Sequence, residues 1–476
     1  MTGRTVAVVG GGIAGLTAAL ELVEAGHQVT VVEGAPRCGG KIATHTGAGG
    51  LVVEAGADSF LSAKPAGLAL CTRLGLDDRL IDSRPDRRTF VWWDGRLRGL
   101  PEGLVLGSPA RAGALLRSGL LSPAGAARMA GDLVVRAAPP EADESIAAFF
   151  TRRLGPEAYE RVVEPLLAGI HAGDATQLSL RAAFPRFAEM ERSCGGMVRA
   201  ARAERRRPAR RGPSPGAGHT PFVSLRTGMG ELVEALVRRL EAAGTKVLVG
   251  SRAMTLAAAP GGSGCSGWSL RLSPPHDLEL DAVVLATPAF VSAELLRPIC
   301  PDAAALLAAI PHAGTATVSL AYDDRDIGRR PEGFGFVVPR AAGKDLIAAT
   351  YSSQKWPGRA PPGQTLVRGY VGGTGRSEVV DWDDTALIRL VEHSLADLAG
   401  IDGEPLCASV HRFPAGMPQY TLGHGDRVAR IRADVARHRG LAVTGAAYGG
   451  VGIPDCIADA SAATATLTRS LATSAP

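Results

Sequence analysis

The strongest constraint on this chain lies in its first 33 residues. Thr5-Val6-Ala7-Val8-Val9 is an apolar, β-prone run. It ends in Gly10-Gly11-Gly12-Ile13-Ala14-Gly15, a helix-forming run follows over 16–25, and a second β run, Val29-Thr30-Val31-Val32, closes on Glu33. Strand, glycine turn, helix, strand and acid in that order specify a βαβ unit that binds a dinucleotide. Gly10 makes the tight turn, Gly12 lets the backbone approach a pyrophosphate, and Gly15 lets helix and strand pack closely. The helix N-terminus offers N–H groups and a positive dipole end to the phosphates, and Glu33 is expected on the ribose hydroxyls. A secretory leader, with Arg4 before the apolar run, is disfavoured by three consecutive glycines and by Glu21, Glu24 and Glu33.

A chain of 476 residues has room for two or three domains. Its net charge of +5 suits an anionic small molecule at least as well as a nucleic acid. No basic–aromatic recognition module accompanies that charge, so no nucleic-acid partner is expected. The seven cysteines (38, 71, 194, 265, 300, 407 and 456) are scattered and never form CxxC. They read as reduced thiols of a cytoplasmic protein. The ten histidines make no HxH or HExxH pair, so no metal is expected. Without an apolar run of membrane-spanning length, the protein is expected to be soluble or at most peripheral.

Further along, Gly34 leads into Arg37-Cys38-Gly39-Gly40-Lys41, an open backbone with two cations near the phosphate turn. This pattern is similar to FAD proteins of the glutathione-reductase type and shifts the cofactor from NAD to FAD. Val52-Val53-Glu54 and then Gly56-Ala57-Asp58-Ser59 read as a strand and a turn. The turn either runs beneath the cofactor or is an ordinary β-turn. Residues 90–97 read as a hairpin turning at Asp94-Gly95. Arg84, Arg87 and Arg88 precede it, as an anion site or a solvated edge. Residues 105–200 read as short amphipathic basic helices, with Ser108-Pro109 and Ser122-Pro123 as helix starts. They pack a helical core, or else present a face to a membrane or partner. Residues 201–218 read as a flexible arginine-rich loop. Residues 440–457 repeat the opening theme of strand, glycine loop and helix, with Pro454 in the first helical turn. Such a second loop could hold the far end of a long dinucleotide, where a helix N-terminus favours negative charge by up to ~2 kcal/mol.

These pieces expect an FAD-binding domain from 1–80, 219–300 and 430–476, and a substrate domain from 81–104 and 301–429. A helical subdomain (105–200) and the arginine-rich loop complete the chain. The fold class is α/β: a Rossmann-like domain with an antiparallel-sheet substrate domain and a helical subdomain.

With its motifs placed, the chain resembles the FAD-dependent, oxygen-dependent protoporphyrinogen and coproporphyrinogen III oxidases. The markers are residues 10–15, 37–41, 56–60, 164–174 (EPLLAGIHAGD), 224–229, 414–420 (PAGMPQY) and 448–457 (YGGVGIPDCI). The first two are common to related flavin amine oxidases; the middle and last are more specific. The resemblance implies an FAD domain of the p-hydroxybenzoate hydroxylase type. It implies a six-electron oxidation of a porphyrinogen in haem biosynthesis, with hydride passing to flavin N5 and O₂ reduced to H₂O₂. It places Gly10, Gly11, Gly12, Ile13, Ala14, Gly15, Glu33, Gly34, Gly40, Lys41, Gly56, Ala57, Asp58, Ser59, Ala253, Val451, Gly452 and Ile453 on non-covalently bound FAD. Arg88 is its candidate for a substrate propionate. No acid–base residue is named, because the flavin carries the chemistry. Coproporphyrinogen III is favoured, since the bias to Ala, Gly, Arg and Pro is that of soluble members from high-GC bacteria. Protoporphyrinogen IX is the alternative, and a flavin amine oxidase a more distant one. Peripheral contact with a membrane or another haem-pathway enzyme, and the oligomeric state, are left open.

Overall fold

The computed structural model describes residues 3–101, 112–139, 143–206, 218–259 and 267–472. Its centre is a five-stranded parallel sheet. Thr5–Val9 pairs with Gln28–Val32 on one side and Ala282–Leu285 on the other; Lys246–Leu248 and Leu441–Val443 form the edges. The three inner strands are mostly apolar because both faces of the sheet are covered. The period-two alternation divides their side chains cleanly. Val6, Val8, Val31 and Val284 join one core with helices Ile13–Glu24, Gly230–Ala242 and Ile453–Ala472. Ala7, Val9, Val283 and Leu285 join the other, with helices Ala289–Leu296, Pro301–Ala308 and His424–Ala436.

Both glycine loops leave this sheet at its C-terminal edge. The first follows Val9 and the second follows Val443, two strands away in the sheet order. At the usual spacing of neighbouring strands that is roughly 10 Å. Loops more than 400 residues apart in the chain therefore open on the same crevice, where ligands of such sheets bind.

A seven-stranded sheet forms the second layer. It is antiparallel apart from one parallel pair, Gly335–Val337 with Thr89–Trp93. Asp94 (φ 53°) and Gly95 (φ 76°) make the expected two-residue hairpin turn. The register gives the sheet two unlike faces. Val318, Leu320, Val367 and Val371 pack on Leu387, Val391 and Leu395 of helix Asp384–Ala399. The opposite face carries Thr317, Ser319, Arg368, Tyr370, Ser409 and His411 in register. Thr317 Oγ1 donates to Ala55 O at 2.8 Å and Arg368 reaches Glu54 O and Gly56 O, so the polar face meets the loop that follows Val52–Glu54.

The helical part begins at Ala112–Arg117. The expected start at Ser108-Pro109 lies outside the described residues. Ser122 does cap helix Pro123–Ala130, its Oγ accepting from Gly125 N at 3.0 Å. Ser145 caps Ile146–Leu154 in the same way. A π-helical turn, Tyr159–Val163, runs into Glu164–His171. The arginine-rich segment differs from expectation. Its start is not loop but the last turns of helix Met197–Arg206, because Met197, Val198 and Ala200 are buried on one face. Residues 207–217 lie outside the described residues. No helix among the described residues is long and apolar enough to cross a membrane, and no cluster of metal-ligating side chains occurs among them.

The helical core encloses an ion pair with no solvent exposure. Arg153 Nε lies 2.6 Å from Asp132 Oδ1, and its other donors reach Glu191 and the carbonyls of Asp132, Val135 and Gly195. Asp132 also accepts from Val198 N at 2.8 Å, fixing the start of the last helix. Asp132→Ala strips a buried cation of its main partner and should cost about 3–5 kcal/mol. The double variant Asp132→Leu/Arg153→Met should recover most of that loss. Denaturant unfolding of the two proteins checks both expectations.

Candidate functional site

The first glycine loop is shaped by three different demands. Gly10 has φ +108°, and a Cβ there would lie 2.7 Å from Ala286 O. A Cβ on Gly15 would lie 1.8 Å from Gly10 O. Gly12 is the opposite case: a Cβ there would meet nothing within 4 Å. Its φ of −73° is open to any residue, so the fold itself does not need glycine here. What it keeps is empty space in front of helix Ile13–Glu24. That helix has no side-chain cap at its N-terminus and no acidic residue in its first turn. Its orphan N–H groups and positive dipole end are therefore left for an anion. Gly39 and Gly40 close the cradle: Gly39 N donates to Gly11 O at 2.7 Å, and a Gly40 Cβ would lie 3.6 Å from Gly12 Cα. This geometry fits a pyrophosphate.

Glu33 faces the same turn. Its Oε2 accepts from Gly11 N and its Oε1 from Ala35 N, both at 2.7 Å. A carboxylate has about four acceptor positions, so lone pairs remain for a sugar. Ser251 N donates to Glu33 O and Gly250 N to Ala35 O, which brings Gly34 and half-buried Ala253 into one neighbourhood. Arg37 departs from expectation. Its guanidinium turns onto its own loop, donating to Cys38 O, Ile42 O and Gly40 O. It shapes the cradle and offers no free cation to a phosphate.

Lys41 Nζ donates to Gly416 O at 2.5 Å. Water reaches the side chain, yet protein surrounds it closely enough to lower its pKa by desolvation. A Cβ on Gly56 would sit 2.2 Å from Lys41 O, so the two segments touch. The turn at Gly56-Ala57-Asp58-Ser59 is held by the second layer. Asp58 accepts from Ser59 Oγ (2.7 Å), Lys355 Nζ (3.0 Å) and Trp356 Nε1 (3.1 Å), with Arg368 Nη2 at 3.4 Å. Burial works to raise the Asp58 carboxyl, but Lys355 and Arg368 outweigh it and hold it well below the usual range. Arg368 Nη1 donates to Glu54 O (3.0 Å) and Gly56 O (2.7 Å). Behind them Arg359, also buried, lies 3.8 Å from Glu54 and binds Ser224 and the carbonyls of Leu225 and Arg226. No spacing in the sequence announces these partners, which come from far downstream in the chain.

The second glycine loop is pinned from three sides. Tyr420 Oη donates to Ala446 O at 2.5 Å and accepts from Gly450 N at 2.9 Å. Asp459 accepts from Thr444 Oγ1 at 2.7 Å and Gly445 N at 3.2 Å, and pairs with Arg432. Gly450 (φ +137°) and Gly452 both crowd Asp455: a Cβ would lie 2.6 Å and 2.8 Å from its side chain. The helix Ile453–Ala472 starts here, with Val451 and Gly452 just before it. Its positive end is not bare. Asp455 occupies the first turn and is neutralised by Lys64, 2.6 Å away. Cys456 is buried, and burial pushes its thiol up to about 12.

Arg88 is paired at the surface. It donates to both oxygens of Asp86 (2.9 and 2.8 Å) and lies 3.0 Å from Glu332. Both carboxylates are exposed with it at the surface. A cleft of about 460 Å³ beside it is lined by Arg84, Asp86, Arg330, Glu332 and Gln354, with no residue from either glycine loop.

The family of flavin containing amine oxidoreductases matches this chain over residues 13–467. A coproporphyrinogen III oxidase of Bacillus subtilis (strain 168) is 35% identical over 468 residues, covering 97% of each chain. A coproporphyrinogen III oxidase of Propionibacterium freudenreichii subsp. freudenreichii is 36% identical, covering 95% of this chain and 88% of its own. A crystal structure from Exiguobacterium sp. 255-15, assigned there to protoporphyrinogen oxidase, superposes with a TM-score of 0.84 at 30% identity. It covers 98% of this chain and 99% of that one. Similarity of this extent makes the protein a flavin-dependent oxidoreductase. The chain belongs to the flavin-containing amine oxidoreductases and, within them, to the porphyrinogen oxidases.

Proposed function

We propose that the protein binds FAD non-covalently, extended between its two glycine loops, and oxidises coproporphyrinogen III to coproporphyrin III. The observation that carries this reading is the open space before Gly12, on the same sheet edge as the second loop. Gly10, Gly11, Gly12, Ile13, Ala14 and Gly15 would hold the pyrophosphate, with Gly40 closing over it. Glu33, Gly34 and Ala253 would meet the adenosine half. Lys41 and the turn 56–59 would run along the flavin half, and Val451, Gly452 and Ile453 would sit at its ring system. The bound flavin supplies a two-electron acceptor beside the substrate. The protein's own part is to orient both partners and keep the site dry.

Each round removes a hydride and a proton from the macrocycle. Three rounds take six electrons from the porphyrinogen, and three O₂ become three H₂O₂. The relatives from B. subtilis and P. freudenreichii favour coproporphyrinogen III as substrate, by analogy rather than from site geometry. Protoporphyrinogen IX is the second reading, favoured by the Exiguobacterium structure. Cys456 supports non-covalent binding: a buried thiol held at about 12 is almost wholly protonated at neutral pH and a poor nucleophile. The cytoplasm suits the scattered thiols.

Gly12→Val should reduce bound flavin at least tenfold while leaving the melting temperature of the flavin-free protein within a degree or two, because the new side chain enters empty space until a phosphate competes for it. Flavin absorbance and thermal unfolding read the two effects separately. Acid precipitation of the wild type should release all flavin to the supernatant; yellow colour left in the pellet would contradict non-covalent binding. Anaerobically prepared coproporphyrinogen III, admitted to oxygen with the enzyme, should yield fluorescent product and H₂O₂ faster than protoporphyrinogen IX. Equal rates, or the reverse order, would overturn the substrate choice.

A further inference from the structure

The segment 419–424 is where the three parts of the molecule meet. On the helical side, Gln419 Nε2 donates to His171 O at 2.9 Å, and Ser179 N donates to Tyr420 O at 2.7 Å. On the side of the seven-stranded sheet, Gln419 N donates to Pro311 O at 2.8 Å, just beyond strand Cys407–Pro418. On the side of the parallel sheet, the Tyr420 phenol spans the second glycine loop between Ala446 O and Gly450 N. The ring is itself fixed. It stacks on His424 with centroids 4.0 Å apart and lies 5.6 Å from His171. Tyr420, His171 and His424 are all buried.

Gly450 cannot relax on its own. Its φ of +137° admits only glycine in practice, and the Asp455 side chain blocks its other side. Its N–H direction is therefore set by the phenol. The bonds Gly450 N–H to Tyr420 Oη and Tyr420 O–H to Ala446 O form a short, part-buried chain in which each bond polarises the next. Removing the hydroxyl alone leaves a donor and an acceptor without partners while the ring still fills its space.

We propose that Tyr420 is a positioning residue that sets the seat of the flavin ring and ties it to the wall formed by residues 171–179. This rests on the reading that residues 451–453 meet the ring. Tyr420 touches neither substrate nor cofactor; it acts through the Gly450 backbone.

The test is Tyr420→Phe, compared with wild type in readouts that need no porphyrinogen. The flavin dissociation constant should rise about tenfold, the loss expected for this pair of hydrogen bonds. The visible flavin band and the midpoint potential should shift in the protein that still holds flavin, and turnover should fall with little change in KM. A variant that binds flavin normally, with unchanged spectrum and potential, would overturn the proposal even if its melting temperature drops. Hydrogen exchange on the wild type gives a handle that needs no variant. The Gly450 amide should be protected, and exchange at the rate of a free loop amide would equally overturn the proposal. If wild type oxidises neither porphyrinogen but Tyr420→Phe still alters the flavin, the substrate reading fails and this one stands.

Discussion

Everything in this molecule depends on the parallel register of Thr5–Val9 with its two neighbours. The strand is buried on both faces, and its alternate side chains feed two separate cores. A slip of one residue would exchange Val6 and Val8 with Ala7 and Val9, setting each core's volume wrong at once. The same register fixes where the strands stop. The turn after Val9 and the turn after Val443 thus open two strands apart, on the edge where a parallel sheet presents its loops. Neither loop alone distinguishes one dinucleotide from another. Together they suit the proposed ligand, one long enough to reach from one to the other.

The second constraint is electrostatic. Glu54, Asp58, Lys355, Arg359 and Arg368 are withdrawn from water where the seven-stranded sheet meets the segment 54–59. Desolvating charges is costly, and their mutual attraction offsets it only when hydrogen bonds use up the remaining donors and lone pairs. Here the arginines meet much of that demand by gripping backbone carbonyls at Glu54, Gly56, Leu225 and Arg226, while the Nε of each stays without a partner among the described residues. The loop 55–59 thereby becomes an extension of the polar face of the second sheet. Substitutions on strand Gln364–Gly372 should be felt at the flavin for this reason.

Features written in local sequence were legible. The glycine turn, the acid at position 33, the Asp94-Gly95 hairpin and the serine cap at 122 each follow from a few adjacent residues, and the structure has them. The site's charges were less legible because their meaning is set by distant partners. Arg37 is turned inward by carbonyls of its own loop. Arg88 is neutralised by Asp86 and Glu332, and Asp58 is claimed by Lys355 and Arg368. The helix after Gly452 carries Asp455 at the end that the glycine loop alone would leave bare, with Lys64 as counter-ion. Around Arg202 the density of charge suggests loop, but burial of Met197 and Val198 decides for helix.

One flavin dinucleotide is proposed to bridge the two loops. A crystal structure of the flavin-loaded protein tests it most directly. Phosphates are expected over Gly12, with no side chain intervening, and the ring system against residues 451–453 within reach of the Gly450 backbone. A ring system lodged elsewhere, such as the cleft between Arg84 and Gln354, with the second loop empty, would contradict it.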